Sequence, residues 1–121
     1  MKKNIIMIKS YDFAIKIIRL YKIMTQNQKE YVLSKQLLRS GTAIGALVRE
    51  SEHAQSKADF LHKINIALKE ANETEYWLQL LHNTDYIDDI TASDYLSNVS
   101  EILRMLAAIV KTTKTNIGRI Q

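Results

Sequence analysis

Apolar positions recur at helical spacing along almost the whole chain. Phe13, Ile17, Leu20, Tyr21 and Met24 fall at i, i+4, i+7, i+8 and i+11, one stripe of a helix. Ser10 or Asp12 offers a start and Thr25-Gln26-Asn27 an end, which places the first helix at 10–25. A second stripe, Leu33, Leu37, Ile44, Leu47 and Val48, predicts a helix over 28–53. Gly41 and Gly45 lie inside it, four residues apart. Because an interior Gly costs about 1 kcal/mol relative to Ala, the pair points to another backbone approaching closely there. Ser56-Lys57-Ala58-Asp59 has the form of a capping box, followed by Phe60, Ile64, Ala67, Ala71, Thr74, Leu78 and Leu81, a third helix over 57–83. Thr91-Ala92-Ser93-Asp94 repeats the box ahead of Tyr95, Val99, Ile102, Leu106, Ile109 and Thr113. A fourth helix over 92–114 follows, with a loose tail from Thr115. Strand-like alternation is confined to Asn4 to Ile8. Four amphipathic helices with short connections bury their stripes only against one another. The expected fold is therefore all-α, an antiparallel up-down-up-down four-helix bundle in one domain over 1–121.

Composition narrows the class further. The chain has no Pro, three Gly and no Cys among 121 residues, which excludes a disulfide scaffold and a thiolate metal site and argues against a loop-rich sandwich. No stretch approaches the ~20 apolar residues of a membrane-spanning helix. The basic start Met1-Lys2-Lys3 leads into an apolar run that stops at Lys9 without a cleavage site. The sequence reads as cytoplasmic, with no membrane partner.

The net charge of +4 hides a segregation of signs. Residues 1–49 carry ten Lys and Arg against two acids, residues 50–101 three against eleven, and residues 102–121 four against none. A basic face on the first two helices is one outcome, and pairing of opposite signs between neighbouring helices is the other. The candidate phosphate-binding set is Lys9, Lys16, Arg19, Lys22, Lys29, Lys35, Arg39 and Arg49. On the first helix, Lys9, Lys16, Arg19 and Lys22 fall in a broad arc opposite the Phe13, Ile17, Leu20 stripe, where they can meet a nucleic-acid backbone. Gln36, Arg39, Glu50, Glu70 and Glu73 form a candidate polar network between the second and third helices, since Arg39 can fork to a carboxylate such as Glu70 or Glu73. Tyr76-Trp77 marks a candidate oligomer contact.

Catalytic and metal chemistry find little support. Glu50-Ser51-Glu52-His53 has the Glu-x-x-His spacing of a di-iron bundle. The site needs a second such motif, and Asp59-Phe60-Leu61-His62 and Gln79-Leu80-Leu81-His82 do not supply it. No nucleophile has an oriented base, and no Gly-rich phosphate loop exists. The expectation is a protein that is not an enzyme, with no cofactor and no metal.

The ordered set Tyr11-Asp12-Phe13-Ala14, Tyr31 to Ser40 with Ile44 and Glu50, Ser56 with Asp59-Phe60, and Ala67 to Glu75 resembles the four-helix-bundle family named for proteins encoded in intervening sequences of bacterial 23S rRNA genes. The resemblance spans Ser10 to Lys111. It implies a closed antiparallel bundle in a ring-shaped homo-oligomer, a pentamer. It also implies kinship in fold with the accessory variability protein of diversity-generating retroelements, which uses basic surfaces to bind nucleic acid and a reverse transcriptase. Two departures stand out: Ala46 to Ser51 lacks the Gly that ends the family's Asn-Ile-x-Glu-Gly, and Ala67-Leu68-Lys69-Glu70 lacks the hydroxyl of its Ser-Leu-x-Glu. The function expected is binding of structured RNA or DNA through the basic helices. A scaffold that docks a protein partner is the alternative, and a metal-binding bundle the remote one.

Overall fold

The computed structural model describes residues 2–120, and the side chains of 5–118 within them; Met1 and Gln121 lie outside the described residues. The described residues form four helices: α1 (Lys2–Asn27), α2 (Leu33–Ser51), α3 (Lys57–Asn83) and α4 (Asp89–Ile120). Each packs on the next in sequence, and α1 and α4 close the square along a thinner seam. Cross-helix partners fix the directions. Ile17 meets Gly41 while Ser10 meets Gly45, so α1 and α2 are antiparallel. Arg39 reaches Glu73 while Glu50 reaches Lys63, and Lys9 reaches Glu101 while Lys16 reaches Asp94. The topology is up-down-up-down.

The core is a single column of aliphatic side chains. Ile17, Met24, Leu37, Ile44, Ile64, Leu78, Leu81, Ile102 and Leu106 are fully buried, and Phe13, Val48 and Val99 fill between them. At about 25 cal/mol per Å² of apolar surface, this column is the main favourable term. Small residues set how closely the helices approach. A Cβ on Gly45 would sit 3.2 Å from the Ser10 carbonyl oxygen, so there the α1 backbone does lie against α2. At Gly41 the neighbour is instead a side chain, Ile17, whose Cγ1 would lie 2.8 Å from an added Cβ. Between α2 and α3, buried Ser40 and Thr74 place hydroxyl oxygens 3.0 Å apart, and Thr74 also donates to the Glu70 carbonyl at 2.8 Å.

Helix ends depart from the sequence pattern in several places: α1 closes at Asn27 and α2 at Ser51, two residues beyond and two short of the expected ends, and three starts move further. The first helix begins at Lys2, because Ile6 continues the buried stripe and Asn4 to Ile8 is helical rather than extended. Ser10 is mid-helix, its hydroxyl donating to the Ile6 carbonyl at 2.7 Å, so it caps nothing. The second helix begins at Leu33, five residues later than its stripe suggests, because Lys29 takes a left-handed turn with φ 57°. Glu30 then folds back, 8% exposed, and its carboxylate accepts the N–H groups of Val32 and Leu33 at 3.1 Å and of Ser34 at 2.6 Å. It satisfies three of the four donors that a helix leaves open at its start. The fourth helix begins at Asp89 because Asp88, rather than Thr91, accepts the first-turn N–H, that of Thr91 at 2.8 Å. It also continues past Thr115 to Ile120.

The turn after α2 needs no glycine. Glu52 stays in the right-handed region at φ −65°, while Ser51 is buried with its hydroxyl donating to the Val48 carbonyl at 2.6 Å. Ser56 then caps α3 through the Asp59 N–H at 3.0 Å, and Asp59 accepts the Gln55 N–H at 3.1 Å. At the opposite end of the bundle, Gln28 donates to the Tyr86 carbonyl at 2.8 Å and ties the α1–α2 connection to the α3–α4 connection.

Two outcomes follow for stability in urea. Gly41→Ala should lower it by about 1–3 kcal/mol despite the better helix propensity of Ala, because buried Ile17 has nowhere to retreat. Glu30→Gln should cost about 1–2 kcal/mol at neutral pH. Burial by itself pushes the Glu30 carboxyl up, but the N–H donors of Ser34, Leu33 and Val32 outweigh it and hold the group below its ordinary value of 4.5. The native state therefore favours the ionised form. The stabilisation is complete above that ordinary value and is lost as pH falls below it through the lower native value, so wild type and Glu30→Gln should converge in acid.

Candidate nucleic-acid interface

The eight basic side chains separate into two groups once the bundle is closed. Three are engaged by acids of a neighbouring helix. Lys9 pairs with Glu101 at 3.2 Å. Lys16 donates to Asp94 and to Asn98, each at 2.6 Å, and its ammonium lies 4.8 Å from the Tyr95 ring centre. The Tyr95 hydroxyl donates to the Lys16 carbonyl at 2.8 Å, so lysine and tyrosine hold each other from both ends. Arg39 forks to both oxygens of Glu70 at 3.4 and 3.3 Å, and its other terminal nitrogen donates to Glu73. Arg49 faces an aromatic ring instead, its guanidinium carbon 5.8 Å from the centre of Tyr11.

Arg19, Lys22, Lys29 and Lys35 are exposed and have no acidic partner among the described residues. All four belong to the end of the bundle where α1 turns into α2: Arg19 and Lys22 on the last turns of α1, Lys29 in the connection and Lys35 on the first turn of α2. The solvent side of α1 is less basic than the sequence arc suggests. Lys9 and Lys16 turn toward α4, and Ile8 at 60% and Tyr11 at 55% exposure occupy the outward positions. The physical cause is the acidic row Asp94 to Glu101 on α4, which draws the two lysines sideways across the seam.

The polar network is reorganised in a similar way. Arg39, Glu70 and Glu73 meet, and the Trp77 indole N–H donates to Glu73 at 3.0 Å, a member whose one signal in the sequence is its spacing of four residues from Glu73. Gln36 does not join them, and Glu50 instead accepts from Lys63 at 3.2 Å near the other end of α2. The Trp77 and Arg39 donors hold the Glu73 carboxyl below the ordinary range against the opposing effect of burial. Burial, reinforced by Asp94 and opposed by Arg19, pushes the Tyr95 phenol up. Glu30 was also missed; its signal was an acid just ahead of the first turn of α2, favourable to the helix dipole. His53 lies beyond the end of α2 and is exposed, and no group of three or more potential metal ligands occurs among the described residues. Among the described residues, no helix is long and apolar enough to cross a membrane. Tyr76 is 53% exposed and stacks edge-on against Trp77, ring centres 5.1 Å apart.

Two comparisons with known proteins bear on this arrangement. Residues 2–108 match the family model described as 23S rRNA-intervening sequence protein. A crystal structure of a protein of unknown function from the S23 ribosomal protein family of Bacteroides thetaiotaomicron VPI-5482 superposes with a TM-score of 0.90 at 54% identity, covering 92% of this chain and 99% of the other. No curated protein matches the chain.

Loss of the α1–α4 seam contacts should be felt in stability and not in polyanion binding. Tyr95→Phe removes the hydroxyl bond to Lys16 and should cost about 1 kcal/mol in a urea titration. Lys9→Gln with Lys16→Gln removes two half-exposed ion pairs, each worth at most about 1 kcal/mol. The salt dependence of polyanion binding should stay at the wild-type value in both variants.

Proposed function

Starting from the 23S rRNA-intervening sequence protein family, to which this chain belongs, we propose that it binds the phosphate backbone of structured RNA or DNA through Arg19, Lys22, Lys29 and Lys35. The observation that carries this reading is the division of the basic residues. The bundle neutralises Lys9, Lys16 and Arg39 internally and leaves four cations free at one end. Four exposed charges without acidic partners can meet phosphates with no ion pair to break, and each contact releases counterions condensed on the nucleic acid. They supply affinity and no base-specific code, so any selectivity comes from the shape of the nucleic acid. In a homo-oligomer, the state the family resemblance implies, the set is repeated, and linked weak contacts become strong binding through effective concentration. The rRNA reference in the family's description makes a structured rRNA fragment the first ligand to try.

The test is fluorescence anisotropy with an rRNA fragment, a DNA duplex and a polyanion control, titrated at several salt concentrations. Binding should weaken steeply with salt, and Lys29→Glu with Lys35→Glu should reduce the logarithmic salt slope by about one per lysine. Absence of binding at low salt, or a slope unchanged in that variant, overturns the proposal. Docking of a protein partner on an apolar surface would survive added salt, which separates the scaffold reading from this one.

A further inference from the structure

Most tyrosines of this bundle are engaged or partly covered. The ring of Tyr11 meets Arg49, Tyr76 stacks on Trp77, Tyr95 holds Lys16, and Tyr21 and Tyr86 are half-buried. Tyr31 differs from them: it is 57% exposed, and among the described residues its ring stacks on no other and its hydroxyl has no hydrogen bond. Val32 beside it is 72% exposed, and Lys29 and Lys35, two residues before it and four after, are exposed as well. An uncovered ring between two cations that lack acidic partners matches the two halves of an unpaired nucleotide, a flat apolar base and an anionic phosphate.

The backbone holds this group in place. The Met24 carbonyl accepts the N–H groups of both Gln28 and Glu30 at 3.2 Å, and beyond Tyr31 the Glu30 carboxylate takes those of Val32, Leu33 and Ser34. A ring mounted between two fixed points gives up little further freedom when a base settles on it. The same carboxylate fills the start of α2, so that helix end is closed to a phosphate, and Lys29 and Lys35 are the groups beside Tyr31 that attract one. Asp85, Asp88 and Asp89 share a cleft with Gln28, and their charge keeps a strand to the α1–α2 side of it.

We propose that Tyr31 is a stacking platform for an unpaired base, and that this end of the bundle takes a single-stranded loop or bulge of a structured nucleic acid, with the flanking phosphates on Lys29 and Lys35. A base inside a duplex has both faces covered by its neighbours and offers only an edge, which a ring on an exposed turn cannot stack on. Every base has a π face, so stacking selects unpaired over paired nucleotides and reads no sequence. This inference rests on the phosphate-binding reading and adds to it the state of the bases.

The experiment compares an RNA hairpin carrying an unpaired loop with a fully paired RNA duplex of equal phosphate number, by fluorescence anisotropy with the full chain. The hairpin should bind more tightly. Tyr31→Ala should weaken hairpin binding by about 5- to 150-fold and leave the duplex unaffected. It removes no cation, so the salt slope should stay at the wild-type value. Tyr31→Trp should keep the hairpin affinity, and 2-aminopurine placed in the loop should be quenched by wild type and not by Tyr31→Ala. The ring is exposed, so the helical circular dichroism of these variants should match wild type. Equal wild-type affinity for hairpin and duplex, or an undiminished hairpin affinity in Tyr31→Ala, overturns this proposal. The phosphate reading survives that result if binding still weakens steeply with salt and responds to Lys29→Glu with Lys35→Glu. No binding of either RNA at low salt overturns both. A Tyr31→Ala chain that changes its assembled mass in light scattering while binding the hairpin as wild type does assigns the ring to a contact between proteins and also overturns the platform.

Discussion

The contact on which the other arrangements depend is the approach of α2 to α1 at Gly41 and Gly45. With the Ser10 carbonyl 3.2 Å from where a Cβ of Gly45 would be, and Ile17 filling the space over Gly41, the first two helices pack at a spacing that a larger residue at either glycine would not allow. Their connection must then turn sharply. Lys29 enters the left-handed region, and Glu30 becomes buried with its carboxylate on the first N–H groups of α2. A charge is taken out of water there, and the cost is met by three backbone donors and the start of a helix.

The same closeness decides which surface charges are free. With α2 tight against α1 and α3 tight against α2 through Ser40 and Thr74, Arg39 lies within reach of Glu70 and Glu73. On the other side α1 meets α4 along a thin seam, and polar groups bridge it where apolar packing is sparse: Lys9 with Glu101, and Lys16 with Asp94, Asn98 and Tyr95. Each pair is individually weak in water. Their collective effect is on the distribution of charge, since of the eight candidate cations the four without an acidic partner, Arg19, Lys22, Lys29 and Lys35, lie toward the end where α1 turns into α2, while Lys57, Lys69, Arg104, Lys111 and Lys114 are exposed on α3 and α4. An excess of basic residues in the first 49 positions thus becomes a localised patch instead of a uniformly basic face.

Apolar surface follows a related logic. The buried core is made without Ile8, Tyr11, Ile15 and Ile18, of which Tyr11 meets Arg49 of α2 through its ring face. The inner and outer faces of α1 are both continuous, and the outer one borders the cleft that Gly45 and Ala46 open between α1 and α2. The small residues that let two helices approach inside the bundle also leave a shallow trough outside it.

The sequence by itself determined the four helices and their inward faces, because a 3.6-residue period needs only the order of apolar and polar residues along the chain. Ile64, Ala67, Ala71, Thr74, Leu78 and Leu81 are all buried on α3, and Ser56 caps it, both legible from local pattern. Helix ends were less legible. Lys29, Glu30 and Asp88 act through backbone geometry and a folded-back side chain, which periodicity does not register. Gly41 and Gly45 announced a close approach, but only the packed pair shows a side chain at one and a backbone at the other. For the candidate interface, the sequence could count cations and could not tell which were engaged. That depends on acids far along the chain, such as Asp94, 78 positions from Lys16, and Glu101, which become neighbours of Lys16 and Lys9 only when α4 folds back beside α1. Charge pairing is set by distance in space, and the tertiary structure alone supplies that distance.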